Sequence, residues 1–306
     1  MENRQYKDIR SKIENLYSQI LLREADKEGL EYWIRKMVNE EMTLNEVKAA
    51  FYNSREYEQL DSKYDFTNDK TIPRGFFDDY PKFFKTSKTF EHPNHLNGRY
   101  KSIIEFNRKI ICGSSILDIA SHDGRWSFAA LKNGATKVVG IEAREHLVNN
   151  SIENMKEYGI DKNLYEFIKE DIHTEITKFQ QGEFDVIFCL DFLYHTLDHW
   201  FLLSQIKRLN PKYLVIDTRI DWSNENIVRL HMDNPEKEAH ASSIDNSKNK
   251  ILVGCTSKPA LEMMLTCLGF TDFKYFDWRK NILNFRNLVD YYHGKRVTLT
   301  ATNNSM

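Results

Sequence analysis

Four short stretches hold side chains whose types and spacing suit ligand chemistry. The first is Leu117-Asp118-Ile119-Ala120-Ser121-His122-Asp123-Gly124, an apolar run that meets an acid and a sharp turn before Arg125-Trp126-Ser127 opens a helix. Ligands of open α/β sheets bind beyond the carboxyl ends of the strands, so the turn formed by Ala120, Ser121, His122, Asp123 and Gly124 is the expected cradle. It is not a dinucleotide fingerprint, because Ala120, His122 and Arg125 occupy the three glycine places of G-x-G-x-x-G, and NAD is disfavoured. The second stretch is Gly140-Ile141-Glu142-Ala143-Arg144, where Glu142 follows Asp118 by 24 residues and a carboxylate can accept both hydroxyl protons of a ribose. In the third, Glu170-Asp171-Ile172, Asp171 is a candidate acceptor for an adenine amino group and Ile172 a candidate cover for the ring. One acidic strand end is often only a solvated carboxylate; three in register after consecutive strands argue for a site. The fourth stretch runs from Phe184 to His195. His195 is the candidate general base, since an imidazole takes a hydroxyl proton near neutral pH, and Asp191 is placed to orient it or to hold the acceptor. The plainer reading of His195 is a ring bonded to backbone carbonyls or to a cofactor carboxylate.

Such residues need a scaffold that brings successive strand ends to one edge. From Ser115 the runs SILDIAS, KVVGIEA, YEFIKED, FDVIFCLD and YLVIDTR alternate with RWSFAALKNG, EHLVNNSIENMKEY, a short HTEITKF turn and DHWFLLSQIKRL. Five βα units with continuous apolar strands predict a parallel sheet covered on both faces. KPALEMMLTCLGF supplies a last helix, and FTDFKYFDW with RVTLTAT supplies two terminal strands. Residues 221–250 form a polar insertion at the ligand edge, long enough for a substrate lid. Within it, His231, Asp233, Glu238 and His240 are metal-ligand types whose spacing fits no standard site; a solvated loop is preferred and no metal is expected.

Upstream, Ile9, Ile13, Leu16, Tyr17 and Ile20, then Leu30, Trp33, Ile34 and Met37, recur at helical spacing. Thr43 with Glu46 makes a capping box for a third helix through Val47 and Phe51, and Ser54 is a candidate cap for a fourth. Residues 1–62 therefore read as a small all-helical domain. Residues 63–98 mix Pro, Gly, Asp and Phe without a sustained period and read as a linker or lid whose aromatics pack near the ligand mouth. A helix over Arg99–Lys109 leads into the third region, 99–306. Arg99 and Tyr100 are placed to close over a cofactor carboxylate or the acceptor, the alternative for Arg99 being a solvated residue or ion-pair partner; Trp126 and Trp278 read as core.

The Asp118–Gly124 turn resembles motif I of class I S-adenosylmethionine (SAM)-dependent methyltransferases, an acid followed by G-x-G-x-G. Ala120 and His122 replace the first two glycines and only Gly124 is kept, so His122 adds bulk where the backbone must approach the amino acid end of the cofactor. The resemblance spans residues 99–306. It implies a Rossmann-like seven-stranded methyltransferase sheet, SAM as cofactor and Glu142 on the ribose, with the segment after Leu190 and Asp191 beside the reactive methyl. Leu193-Tyr194-His195 is similar to the G-V-L-Y-H stretch of the family that modifies the tRNA wobble uridine. YSQILLREADKEGLEYW, MTLNEVKAAF and NSREY resemble the DUF4214 module, which is related to phycobilisome-linker segments, carries no chemistry and implies docking to a protein or polymer partner.

Composition limits the partners. With 43 basic against 45 acidic residues and a formal charge of -2, nothing in the overall balance draws the chain to DNA, bulk RNA or an anionic membrane. Cys112, Cys189, Cys255 and Cys267 are scattered without a C-x-x-C pair, and three of them sit in apolar surroundings that suggest buried thiols rather than a disulfide framework or zinc site. No apolar run is long enough to span a bilayer and MENRQYKDIRSK lacks a signal-peptide core, so a cytoplasmic location is expected. The function these features imply is methyl transfer from SAM to an oxygen or nitrogen of a small-molecule or glycan acceptor. The alternatives are an RNA-modifying enzyme and a SAM-binding scaffold that has lost activity.

Overall fold

The computed structural model describes residues 2–21, 23–39, 41–52, 54–56, 74–87, 93–233, 251–282, 285 and 287–304. The chain divides into two compact units, Met1–Lys70 with Trp222–Asn224, and Thr71–Asp221 with Glu225–Met306.

In the smaller unit, α1 (Glu2–Ile20), α2 (Lys27–Val38) and α3 (Leu44–Tyr52) bury the predicted stripes in one core, with Ile13, Tyr17, Ile34, Val47 and Phe51 at its centre. The entry to α2 is fixed by Asp26, whose carboxylate accepts from Gly29 N at 2.7 Å. The α3 box forms in both directions: Thr43 N donates to Glu46 Oε2 at 2.7 Å and Glu46 N donates to Thr43 Oγ1 at 3.3 Å. The helix expected after Ser54 falls almost wholly outside the described residues.

In the larger unit, β1 (Ser115–Ile119), β2 (Lys137–Glu142), β3 (Tyr165–Lys169), β4 (Val186–Leu190) and β5 (Tyr213–Arg219) are parallel. With β8 (Phe270–Tyr275) and β9 (Arg296–Asn303) they form one sheet in the order β3-β2-β1-β4-β5-β9-β8, the last two antiparallel to their neighbours. Alternate residues feed two cores: on β4, Ile187 and Cys189 face one, while Val186, Phe188 and Leu190 face the other. Both faces of the central strands β1, β2, β4 and β5 are buried, which is why these read as apolar runs, whereas the edge strands β3 and β8 are partly exposed.

The expected helix over Arg99–Lys109 is instead three pieces: Pro93–Tyr100, a π-helical turn Lys101–Glu105 and Arg108–Ile111. Of the linker, residues 74–87 pack with Phe77 and Phe83 fully buried beside Trp126 and Phe128, and residues 93–98 belong to the helix Pro93–Tyr100 rather than to a connector. Gly75 permits this approach, because a Cβ there would lie 2.3 Å from Asn97 Cγ. The insertion differs from expectation: its first part is β6 (Val228–Asp233), paired antiparallel with β7 (Ile251–Thr256) in a separate two-stranded sheet. The alternation of Val228, Leu230 and Met232 is the signal for it, too short to stand out in a polar context. Glu238 and His240 lie outside the described residues, and among the described residues no group of three or more His, Cys, Asp or Glu is placed to hold a metal. The cysteines also differ: Cys112 and Cys267 are exposed, Cys255 is partly covered and only Cys189 is buried, where burial pushes its thiol up to about 12. Among the described residues no helix is long and apolar enough to cross a membrane.

Candidate active site

The carboxyl ends of β1, β2 and β4 bring the first, second and fourth stretches to one edge. After β1 the chain turns through Ala120 at φ 54°, His122 at φ 53° and Gly124 at φ 75°. These are the three places where the motif has glycine, so the left-handed turn is kept although two of its residues carry a Cβ, at about 1–2 kcal/mol of strain each. Neighbours hold it in place. Ser121 N donates to Ile141 O at 2.9 Å, Ser151 Oγ to His122 O at 2.9 Å and Asn154 Nδ2 to Asp123 O at 3.0 Å. A Cβ on Gly124 would come within 2.9 Å of Phe167 and 3.0 Å of Ser151, so that position admits nothing larger.

The side chains of the turn are committed mainly to the protein. The His122 ring folds back, its Nδ1 accepting from Asp123 N at 2.9 Å and lying against Arg125 Nη2. Burial and the Arg125 charge hold this imidazole below its ordinary pKa, in the neutral form that an accepting Nδ1 requires. Asp123 is fully buried, bonded to Arg125 Nε at 2.6 Å and Thr86 Oγ1 at 2.7 Å. Burial opposes its charge, but Arg125 prevails and the carboxyl stays well below the usual range. Asp118 takes 2.7 Å from Ser127 Oγ on one oxygen; its Oδ1 and the Ser121 Oγ are buried without a protein partner. Burial, only partly offset by Ser127, pushes the Asp118 carboxyl up to about 7.

At the end of β2, Glu142 is 4% exposed and ringed by donors: His122 N at 3.1 Å, Arg144 N at 3.1 Å, Arg144 Nε at 2.8 Å and Arg144 Nη2 at 3.2 Å. Burial raises its pKa, but the Arg144 fork outweighs it and the group is held ionised. Ala143 is half-buried between them. At β3, Asp171 caps the short helix Ile172–Glu175 by accepting from His173 N at 2.9 Å, and Ile172 is buried.

Beyond β4 the buried Leu190 leads to Asp191, at φ 58° with a side chain one-third exposed. Arg99 and Arg296 both clamp its carboxylate, and Tyr194 Oη contacts it at 3.4 Å. Burial works against the charge, yet the two guanidinium groups prevail and Asp191 stays ionised far below its usual range. Behind it Asp217, fully buried, accepts from Arg99 Nη2 at 3.0 Å, Tyr291 Oη at 2.8 Å and Thr298 Oγ1 at 2.6 Å. His195 follows in the short 3-10 turn Leu193–His195, its ring 4.0 Å from that of Tyr194.

The candidate residues at the ends of β1, β2 and β4 lie at one edge of the sheet, and the structure shows what surrounds two further candidates. Arg99 takes up the ion-pair alternative: it is 2% exposed, paired with Asp191 and Asp217 and set over the Trp126 ring. Tyr100 stacks on Phe76 and bonds Asn133 at 3.1 Å. The residues missed are Arg144, Asp217, Tyr291 and Arg296. Only Arg144 had a signal, its place two residues beyond Glu142; the others are distant in sequence and meet through the sheet.

The sheet order, the left-handed turn after β1 and the acid at the end of β2 make a Rossmann-like α/β fold of the methyltransferase kind. Residues 112–261 match the family model described as a methyltransferase domain, and residues 4–60 match that of DUF4214, a domain of unknown function. No curated protein matches the sequence. Among solved structures the chain is similar to the N-terminal domain of EvdMO1 with S-adenosylhomocysteine (SAH) bound (TM-score 0.49, 17% identity, 65% of this chain and 78% of that one). It is also similar to the [4+2]-cyclase SpnF (0.48, 12%, 68% and 81%) and to a putative O-methyltransferase from Nostoc punctiforme (0.48, 13%, 73% and 60%). SAM is the cofactor this fold family implies. The residues fit it in kind: the turn is preserved, Asp118 Oδ1 and Ser121 Oγ have spare hydrogen-bonding capacity, and Glu142 is an ionised carboxylate.

Proposed function

We propose that the chain transfers the methyl group of SAM to a hydroxyl or amine of a small polar acceptor, a glycan among the candidates. The observation that carries this reading is the retained left-handed backbone at Ala120, His122 and Gly124, with Asp118 and Glu142 at adjacent strand ends. A turn kept at a cost in strain without its glycines argues for a site under functional constraint.

Bound SAM supplies an electrophilic methyl group. Glu142 is assigned to the ribose, Asp171 and Ile172 to the adenine, and the Ala120–Gly124 turn with Leu190 and Ala143 to the body of the cofactor. Asp191 is too strongly held as an anion to act as a base, so its role is to accept a hydrogen bond from the acceptor and aim the nucleophile. His195 is assigned to take the proton that the acceptor oxygen loses as its bond to the methyl carbon forms. The balanced charge at the Asp191, Asp217, Arg99 and Arg296 cluster suits a neutral polar acceptor better than a polyanion, which places RNA second. The 4–60 module, which carries none of these residues, is assigned to docking on a partner or polymer.

Titration calorimetry with SAM and SAH on the intact chain tests the cofactor, with Asp118→Ala and Glu142→Ala as controls. Binding that the substitutions abolish supports the reading and justifies an acceptor screen with labelled methyl donor. Absence of binding by the folded protein sinks it in favour of an inactive scaffold, a reading that the complete engagement of Glu142 by protein donors favours.

A further inference from the structure

An ionised carboxylate offers about four lone-pair directions, two on each oxygen. On Glu142 all four are filled: Oε1 takes Arg144 N and Nε, and Oε2 takes His122 N and Arg144 Nη2. Two of those donors are backbone groups fixed by the turn and by the chain itself. The other two belong to one guanidinium in a bidentate fork, on a side chain that is 19% exposed against 4% for its partner. A ribose diol assigned to Glu142 offers two hydroxyl donors, the same number that the fork supplies.

We propose that Arg144 sets the affinity of the cofactor site: its guanidinium caps Glu142 in the free protein and must leave before a ribose diol can take its place. This rests on the assignment of Glu142 to the ribose. The exchange is matched in donors, two N–H for two O–H, so Glu142 is never left bare in either state. A ligand with only one hydroxyl cannot replace the fork and leaves a buried acceptor unsatisfied, which disfavours nucleosides lacking the diol. The fork thus lowers the affinity for every nucleoside that displaces it by one common factor, while the choice between diol and deoxy ligands is set by Glu142 in the bound state.

Removal of the fork therefore tightens binding, whereas deletion of an ordinary ligand-contacting arginine weakens it. SAH affinity is measured by calorimetry on the intact protein, on Arg144→Met, on Glu142→Gln and on the double variant. The expected result is SAH binding about fivefold or more tighter in Arg144→Met, a charge-assisted hydrogen bond being worth enough to account for it, with no such gain in the Glu142→Gln background. 5′-Methylthioadenosine and its 2′-deoxy form, titrated in parallel, should gain by similar factors in Arg144→Met, because the fork is lost from the free protein in both titrations. Should Arg144→Met fail to fold, Arg144→Lys, which keeps the charge but cannot bridge both oxygens, is read in its place with a gain of about twofold. Equal or weaker SAH binding in the Arg144 variant overturns the cap and leaves the function reading intact. Binding to none of the four proteins overturns both.

Discussion

Arg296, the first residue of β9, forks through both terminal nitrogens onto Asp191 just beyond β4, 105 residues earlier in the chain. It also donates to Tyr194 Oη at 2.9 Å and approaches Asp217 at 3.6 Å, so one guanidinium ties the last strand to the segment proposed to face the acceptor. Asp191→Asn leaves Arg99 and Arg296 sharing Asp217 alone and is expected to cost roughly 2–4 kcal/mol, because a buried charge loses its partner. Urea denaturation of Asp191→Asn, Arg296→Met and the double variant checks this. The double variant should lose clearly less than the sum of the singles.

Asp118 gives the fold an unusual pH dependence. Its carboxyl titrates at about 7 in the native chain, against about 3.9 when unfolded. Between those values the native state holds the proton more tightly, so this group makes the fold less stable as pH rises from about 4 to 7, and its effect is flat above that window. Asp118→Asn, which retains an acceptor for Ser127, should remove that decline. Thermal melts of both proteins from pH 5 to 8 decide it: parallel curves would show that Asp118 is not the source.

The two unusual residues of the turn should respond differently to glycine. Ala120→Gly relieves about 1 kcal/mol of left-handed strain but adds about 0.5–1 kcal/mol of unfolded-chain entropy, so its Tm should stay within a few degrees of wild type. His122→Gly gains the same relief but removes the Nδ1 that accepts from Asp123 N and faces Arg125, a loss of about 1–3 kcal/mol. It should melt lower. A higher Tm for His122→Gly would mean that the ring contributes bulk and no bonding.

In the helical unit, Gly29 sits where a Cβ would lie 2.1 Å from the Tyr17 hydroxyl, and Tyr17 is held in the core against Phe51. Gly29→Ala should therefore cost about 1–3 kcal/mol despite its higher helix propensity, as overpacking of a stiff ring does. Limited proteolysis within residues 4–60 reads it directly. Unchanged cleavage rates would show that the ring moves aside freely.

The sequence by itself determined the order of elements and the places where chemistry could happen. Unbroken apolar runs such as Val186–Leu190 specify strands covered on both faces, and the acids at Asp118, Glu142 and Asp171 mark strand ends, because pattern and period are local properties. It could not show what each acid is bonded to. That Glu142 is capped by Arg144, that Asp123 turns inward to Arg125, and that Arg99 is buried against Asp217 rather than poised at the surface depend on distances that only the folded chain sets. Only the sheet order, which sets β9 beside β5 and one strand from β4, brings Arg296 to Asp191. Ionisation follows the same division: residue type fixes the ordinary pKa of a carboxyl, and burial against the nearest opposite charge decides which way Asp118 and Asp191 move from it.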